Sequence, residues 1–443
     1  MKERVVILGA GESGTGAAIL AKVKGFETFV SDSSLIKNPY KEELNQHNIE
    51  WEECTHSIDK ITNADLVIKS PGIPNTAPII ETLNKLNIPV ISEIEFGSRY
   101  TQAKMICITG SNGKTTTTSL LYHLLKSAQL NVGLAGNIGQ SLARQVAFQQ
   151  HDYYVIELSS FQLDNMYAFR ANIAILLNIT PDHLDRYNFC MQKYIDAKFR
   201  IIQNQIKQDA FIYWSDDPVL KEEIKRRELK AKTYTFSTQH KASTLLKGGQ
   251  ISICDNQTNI PLSKLQLAGK HNLYNAMAAL TASQLLGLSK KEMEKGLETF
   301  YGVAHRLEYV ATVDDVIYIN DSKATNIDSC SYALQAMSSP TILILGGKDK
   351  GNDYNLIAPL IKEKCKALVF LGADNHKLHN YFDNFGLPIV DTDSMTKAIS
   401  EAHNLARKGD TVLLSPCCAS FDLFNSYEHR GDLFKDTVKQ LKQ

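Results

Sequence analysis

The sequence predicts an α/β protein of three domains, spanning 1–99, 100–302 and 303–443. Three observations predict it. Short apolar, β-rich runs alternate with helical runs along all 443 residues, the pattern of parallel sheets covered by helices. Two glycine-rich turns each follow a strand-like run and open a helical one. Stretches near 96–104 and 300–305 each precede a new strand-led unit. At ~100–200 residues per domain, the length suits that count.

The elements follow in order. The run 4–8 opens the chain as a strand, and the apolar stretch 28–30 and the run 66–69 continue the first domain. In the second, strands are predicted over 105–109, 153–158 and 173–178, with helices over 115–128, 194–207 and 272–286. In the third, strands are predicted over 316–320, 341–345, 367–371 and 411–415. Several are unbroken apolar runs, as strands buried on both faces require.

Composition sets limits. Apolar residues make up 43% and charged residues 22%, ordinary for a soluble globular chain. Lys+Arg and Asp+Glu are both 48, so no global charge draws nucleic acid or an anionic membrane, and neither partner is expected. No apolar run approaches the ~20 residues of a membrane helix, and the run 5–8 is too short for a signal-peptide core. A cytoplasmic protein is expected. The eight cysteines include no Cys-x-x-Cys pair. Reduced thiols packed as small hydrophobes are expected, with no zinc site.

The first turn, Gly9-Ala10-Gly11-Glu12-Ser13-Gly14, matches G-x-G-x-x-G. Its glycines allow close backbone approach to a phosphate at a helix N-terminus. Asp32, 18 residues after Gly14, could bind a ribose hydroxyl. Three readings stand: a nicotinamide or flavin dinucleotide, another phosphorylated ligand, or a structural turn.

The second turn, Gly110-Ser111-Asn112-Gly113-Lys114-Thr115-Thr116, reads as a shortened P-loop, since Ile108 stands where the strict motif has glycine. Backbone N–H groups would wrap phosphates, Lys114 would neutralise their oxygens, and Thr115 would reach Mg²⁺. Glu157 ends an apolar strand 43 residues after Lys114, the place for an acidic metal ligand. Asn178-Ile179-Thr180-Pro181-Asp182-His183-Leu184-Asp185 crowds polar groups at the same sheet edge, so His183 is a site candidate. Lys198, among Lys193, Asp196 and Arg200, reads on composition as a solvated helix lysine.

At this point the chain resembles the Mur ligase family of peptidoglycan synthesis, over essentially its whole length. The resemblance rests on Gly110 through Thr116, Gly136-Asn137-Ile138-Gly139, Glu157-Leu158-Ser159-Ser160-Phe161-Gln162-Leu163 and Asn178 through Tyr187. It continues through His271-Asn272, His305-Arg306, Asn320-Asp321-Ser322-Lys323-Ala324-Thr325-Asn326 and Ser415-Pro416-Cys417-Cys418-Ala419-Ser420-Phe421-Asp422. The glycine turn at the N-terminus and the two serine-phenylalanine runs are similar to the branch that adds D-glutamate.

The resemblance implies a Rossmann-like N-terminal domain, a central P-loop ATPase-type domain and a C-terminal Rossmann-like domain. It implies ATP-dependent amide ligation of D-glutamate to UDP-N-acetylmuramoyl-L-alanine through an acyl phosphate, with two Mg²⁺ ions. Ser13, Asp32, Ser33 and the Ser70-Pro71-Gly72 turn match positions contacting uridine diphosphate, so the first turn would hold substrate. Lys198 matches a carbamylated lysine, which overturns its reading as a solvated group. Thr115 and Glu157 would serve one metal, and His183 and carbamylated Lys198 the other. Asn137 and His183 match positions near the muramoyl-alanine part. Asn272, Arg306 and Asp321 match nucleotide contacts, and Lys323 and Thr325 match positions near phosphate and amino acid. Ser415 and Phe421 match the D-glutamate pocket, where a further lysine is expected. Spacing favours Lys350, with Lys348 the alternative. A monomer is expected, with closure of the third domain about 301–304.

Three rivals are weighed. Folylpolyglutamate synthase lacks a domain like residues 1–99. A P-loop NTPase switch leaves the C-terminal motifs unexplained, and no Asn-Lys-x-Asp guanine-reading motif is present. A dehydrogenase explains the first turn alone.

Overall fold

The computed structural model describes residues 2–255, 257–267, 269–349 and 351–441. It divides into two compact units, Met1–Leu265 with Tyr274–Phe300, and Gln266–Leu273 with Tyr301–Gln443.

The first unit holds two sheets. Strands β1 (Arg4–Leu8), β2 (Glu27–Ser31), β3 (Glu50–Glu52), β4 (Leu66–Lys69) and β5 (Val90–Ser92) form a parallel sheet in the order β3-β2-β1-β4-β5. The strand order reverses between β1 and β4, the crevice where open α/β sheets bind ligands. Val5 through Leu8 are fully buried, which is why they read as one apolar run.

The second sheet comprises β6 (Lys104–Thr109), β7 (Val132–Gly136), β8 (Tyr153–Glu157), β9 (Ile173–Leu176), β10 (Ala210–Trp214), β11 (Lys232–Ser237), β12 (Thr244–Lys247), β13 (Gln250–Ile253) and β14 (Thr258–Pro261). Their order is β14-β13-β12-β11-β10-β9-β6-β8-β7. Pairing is parallel from β7 to β12 and antiparallel across the last two strands. That hairpin, turned by Gly248 and Gly249 at positive φ, was not among the predicted strands.

The two sheets are joined through acidic side chains. Helix Glu12–Val23 lies against helix Leu142–Phe148, and a Cβ on Gly16 would meet Ser141 Oγ at 1.9 Å. Glu12 accepts hydrogen bonds from the Ser141 N–H at 2.9 Å and from Arg144 Nε at 2.9 Å. Glu93 is fully buried and accepts from the Ala143 N–H at 2.5 Å. Glu95, also buried, accepts from the N–H groups of Tyr167, Ala168 and Phe169 at 3.1, 3.2 and 2.8 Å.

Burial pushes the Glu93 carboxyl up to about 8, and the nearby Glu12 charge adds to it. A carboxyl raised on folding favours the native state below its unfolded value and loses that contribution as pH rises through its folded value. Glu93→Gln is therefore expected to raise the melting temperature relative to wild type at pH 8.5. The difference should shrink toward pH 5, as thermal denaturation across that range would show.

The second unit carries β15 (Glu308–Val313), β16 (Val316–Asn320), β17 (Thr341–Gly346), β18 (Cys365–Leu371), β19 (Ile389–Thr392) and β20 (Thr411–Cys417). Their order is β15-β16-β20-β17-β18-β19, parallel except for the β15–β16 pair. The order reverses at β20, between β16 and β17.

Two predicted elements differ. The helix expected over 194–207 is Met191–Phe199 followed by a single 3₁₀ turn, Arg200–Ile202. Its end is set by side chains that leave the helix to satisfy a neighbouring loop. Gln203 donates to Met166 O at 2.7 Å, Asn204 to Tyr167 O at 2.7 Å, and Gln205 to Ala171 O at 3.0 Å. The strand expected over 173–178 ends at Leu176, because Asn178 serves the adjacent turn. All eight cysteines are free, and six are buried. Cys54 is exposed, departing from the expected packing.

Candidate active site

The first glycine turn lies at the switch point of the first sheet. A Cβ on Gly14 would sit 1.7 Å from Gly9 O, so the helix can start this close to the strand only without a side chain there. Gly11, at the N-cap of helix Glu12–Val23, offers no side-chain cap, leaving the first-turn N–H groups for an anion. Asp32 braces the turn, accepting from the Ala10 N–H at 2.7 Å and the Ser34 N–H at 2.8 Å. Ser70 donates to Gly9 O at 3.3 Å. Ser13, Asp32, Ser33 and Ser70 thus follow the C-terminal ends of β1, β2 and β4.

The second turn occupies the equivalent place in the second sheet, where β6 lies between β9 and β8. Gly110 and Gly113 adopt φ of +150° and +85°. A Cβ on Gly113 would meet Asn275 Oδ1 at 2.3 Å. The Asn178 side chain fixes the loop through both its ends. Its Oδ1 accepts from the Asn112 N–H at 2.8 Å, and its Nδ2 donates to Asn112 O at 3.0 Å. Ser111 Oγ donates to Thr180 O at 2.8 Å and lies 3.0 Å from Tyr194 Oη. Lys114 Nζ donates to Gly110 O and Ser111 O, each at 2.8 Å. Thr115 and Thr116 are buried in the first turn of helix Lys114–Ser127.

Glu157 ends β8, paired with Ile108 on one side and Gly136 on the other. Asn137 Nδ2 donates to its Oε1 at 2.9 Å. Its Oε2 is buried with no hydrogen-bond partner. A carboxylate oxygen excluded from water and lacking a donor suits a cation, so Glu157 fits a divalent ion.

His183 adopts the left-handed conformation at φ 51°. Its Nε2 lies 3.7 Å from Asp182, and its ring meets Phe161 edge-on at 5.2 Å. Lys198 is the larger departure from composition. It is fully buried, 4.6 Å from the Tyr194 ring centre, and its Nζ donates to Gly110 O at 2.8 Å. Burial, reinforced by the Lys114 charge, holds its amine well below the ordinary lysine range. The reading of Lys198 as a solvated helix lysine is overturned.

In the second unit, Asp321 follows β16 and Ser415 lies on β20. Ser415 Oγ donates to Asp321 Oδ2 at 3.0 Å, and the Leu307 N–H donates to Oδ1 at 3.2 Å. Burial pushes Asp321 up to about 7, opposed by the nearby Arg306 guanidinium. Arg306 Nε is buried without a hydrogen-bond partner, a cationic donor suited to an anionic oxygen. Asn272 is buried within helix Lys270–Leu285. Lys323 Nζ lies 5.1 Å from the Tyr427 ring centre, and Thr325 precedes helix Ile327–Ala336. Phe421 is 70% exposed, in contrast to the buried Ser415. Lys348 is exposed, with its backbone bridged to Ala419. Lys350 lies outside the described residues.

The sequence reading missed Arg430. This arginine is almost fully buried, donating to Ser322 Oγ at 3.0 Å, Ser322 O at 2.8 Å and Cys418 O at 3.2 Å. It ties the loop after β16 to the loop after β20. Its signal was slight, an arginine early in the last helix.

Comparison with known proteins adds three matches along the chain. Residues 4–79 match the family described as MurD N-terminal domain, residues 108–283 the Mur ligase middle domain, and residues 305–418 the Mur ligase, glutamate ligase domain. The chain is 62% identical over 443 residues to the UDP-N-acetylmuramoylalanine–D-glutamate ligase of Bacteroides thetaiotaomicron, covering 99% of this chain and 100% of that one. It is 52% identical to the ligase of the same name from Porphyromonas gingivalis, covering 100% and 99%. Among solved structures, UDP-N-acetylmuramate-alanine ligase from Thermotoga maritima aligns with a TM-score of 0.65 at 17% identity over 99% of each chain. The MurF ligase of that organism in complex with ADP aligns at 0.62 and 16% identity, covering 99% and 98%. At those identities the likeness is one of fold.

Proposed function

The chain belongs to the Mur ligase family, and we propose from that membership how its residues divide the work. The enzyme is an ATP-dependent ligase that joins D-glutamate to UDP-N-acetylmuramoyl-L-alanine in peptidoglycan precursor synthesis. The division falls at 1–99 for the UDP-linked substrate, 100–302 for ATP and 303–443 for the amino acid.

A carboxylate at neutral pH is a poor electrophile with no usable leaving group. Its attack on the γ-phosphate of ATP gives an acyl phosphate and ADP. The D-glutamate amine then attacks that carbonyl, loses a proton, and expels phosphate as the amide forms. The first step brings two anions together, so charge control dominates it. Lys114 meets the phosphates once it swings from the loop carbonyls it now engages. Thr115 and Glu157 would hold one Mg²⁺, and His183 and carbamylated Lys198 a second. When bound, these ions neutralise the transferring phosphoryl oxygens. The observation that carries this assignment is the unpartnered, buried Oε2 of Glu157 beside the P-loop.

Lys198 supports the carbamate reading because burial favours its neutral amine, the form that attacks CO₂ and releases a proton. Asn137, which donates to the other Glu157 oxygen, would contact the muramoyl-alanine part. In the second unit, Asn272, Arg306 and Asp321 would contact nucleotide. Lys323 and Thr325 would serve phosphate and amino acid, and Ser415, Phe421 and Lys350 the D-glutamate pocket. Ser13, Asp32, Ser33 and Ser70 would hold the uridine diphosphate. The reading places a monomer in the cytoplasm. No described helix is long and apolar enough to cross a membrane.

Phosphate release from ATP with Mg²⁺ and UDP-N-acetylmuramoyl-L-alanine tests the whole assignment. Release should depend on D-glutamate, fall to background with L-glutamate, and accompany the amide product by mass spectrometry. Release indifferent to both acceptor and amino acid would leave only an ATPase.

A further inference from the structure

We propose that Arg186 is a positioning residue of this ligase. It clamps the 70–73 turn of the first sheet to the loop that carries His183, and so fixes the spacing between the two ends of the bound acceptor. The proposal rests on the reading that the Ser70 turn contacts uridine diphosphate and that His183 lies near the muramoyl-alanine end.

Arg186 stands in the 3₁₀ turn Leu184–Tyr187. Its Nη1 donates to Gly72 O at 3.0 Å and its Nη2 to Pro71 O at 3.3 Å. The guanidinium carbon lies 4.3 Å from the Phe161 ring centre, and that ring in turn meets His183. One side chain therefore touches the Ser70-Pro71-Gly72 turn and the aromatic ring that supports His183.

The turn is held from the other side as well. The buried Lys69 donates from Nζ to Ile73 O at 2.6 Å. Three successive carbonyls, those of Pro71, Gly72 and Ile73, thus face cations, one from the turn's own sheet and one from the neighbouring sheet. Lys69 shapes the turn, whereas Arg186 relates the turn to the catalytic loop.

The loop around Arg186 is under constraint. His183 and Asn188, which bracket the 3₁₀ turn, both adopt left-handed backbone at φ 51° and 54°. Non-glycine residues hold such conformations when surrounding contacts over-determine them. A guanidinium presents several N–H donors in one planar fork and can span two adjacent carbonyls while its face stacks on a ring. An ammonium offers the charge without that geometry.

The test is a cycle of two enzymes and two acceptors. UDP-N-acetylmuramoyl-L-alanine is compared with N-acetylmuramoyl-L-alanine 1-phosphate, which lacks the uridine monophosphate end. Arg186→Met keeps the apolar stem and removes the fork. It should raise KM for the UDP acceptor by about tenfold, the effect of losing ~1.4 kcal/mol. KM for ATP and D-glutamate should stay within about twofold. With the truncated acceptor, Arg186→Met and wild type should differ by less than about twofold. Arg186→Lys should fall between them, and it serves the same cycle should the methionine variant fail to fold. Equal losses on both acceptors, or no loss on either, would overturn the proposal while leaving the uridine reading intact. A wild type that does not distinguish the two acceptors would instead overturn the uridine reading, and the proposal with it.

Discussion

Lys198→Met is expected to lower kcat by about 10³-fold or more, while the melting temperature holds or rises. The two halves of that result have separate causes. The side chain is fully buried and held far below its ordinary protonation range, by burial first and by the Lys114 charge second. Methionine fills similar volume and removes the cost of burying an amine that is charged in the unfolded chain. The fold loses the Lys198 hydrogen bond to Gly110 O and the polar contact of that amine with the Tyr194 ring. On the proposed carbamate reading, catalysis would lose an anionic oxygen donor to the metal, an effect of the size seen when electrostatic stabilisation of a transition state is removed. Stripped of CO₂, so that Lys198 is an amine, the wild type also carries a pH signature. A lysine depressed on folding makes stability climb as pH rises toward its unfolded value, about 10.5, and Lys198→Met should flatten that climb. Denaturation scans with phosphate-release assays measure both. A variant that keeps its activity would remove Lys198 from the site.

Lys114→Ala is expected to cost about 10³-fold in kcat as well, since it removes the cation proposed to meet the phosphate oxygens. A second effect is particular to this chain. Lys114 is one of the charges that depress Lys198, so removing it shifts Lys198 toward its ammonium form and away from reaction with CO₂. Protein equilibrated with ¹³C-bicarbonate should show a carbamate signal in the wild type, a weaker one in Lys114→Ala and none in Lys198→Met. An undiminished signal in Lys114→Ala would break this coupling and leave the phosphate role standing.

The parts legible in the sequence were those written in local patterns. Parallel strands buried on both faces appear as unbroken apolar runs, and the runs at 4–8 and 66–69 match β1 and β4 residue for residue. The P-loop showed itself because backbone geometry demands Gly110 and Gly113 at positive φ. Lys198 was misread on composition because nothing in its neighbours signals burial; charged residues surround it in sequence, and the Tyr194 ring and Gly110 carbonyl surround it in space. Asn275 was passed over for a related reason. Its Oδ1 accepts from Thr117 Oγ1 at 3.2 Å, a contact across 158 residues that no local pattern encodes. The helix boundary at Phe199 failed in the same way, since Gln203, Asn204 and Gln205 look helix-compatible until the 166–171 loop they serve is known. Arg430 shares the lesson: its partners, Ser322 and Cys418, are chosen by tertiary structure alone.

The buried acids of helix Glu93–Ser98 bear on how freely this protein can be recombined. Glu95 draws three amides from 167–169 and Glu93 one from Ala143, all supplied by chain that follows residue 99. Grafted onto a foreign ATPase, residues 1–99 would carry their glycine turn intact but also two carboxylates with no amides to receive them. Chimaeras of this enzyme should therefore be spliced so that 93–95 travel together with 141–144 and 167–169. A swap at the apparent domain border inherits recognition without the means of mounting it.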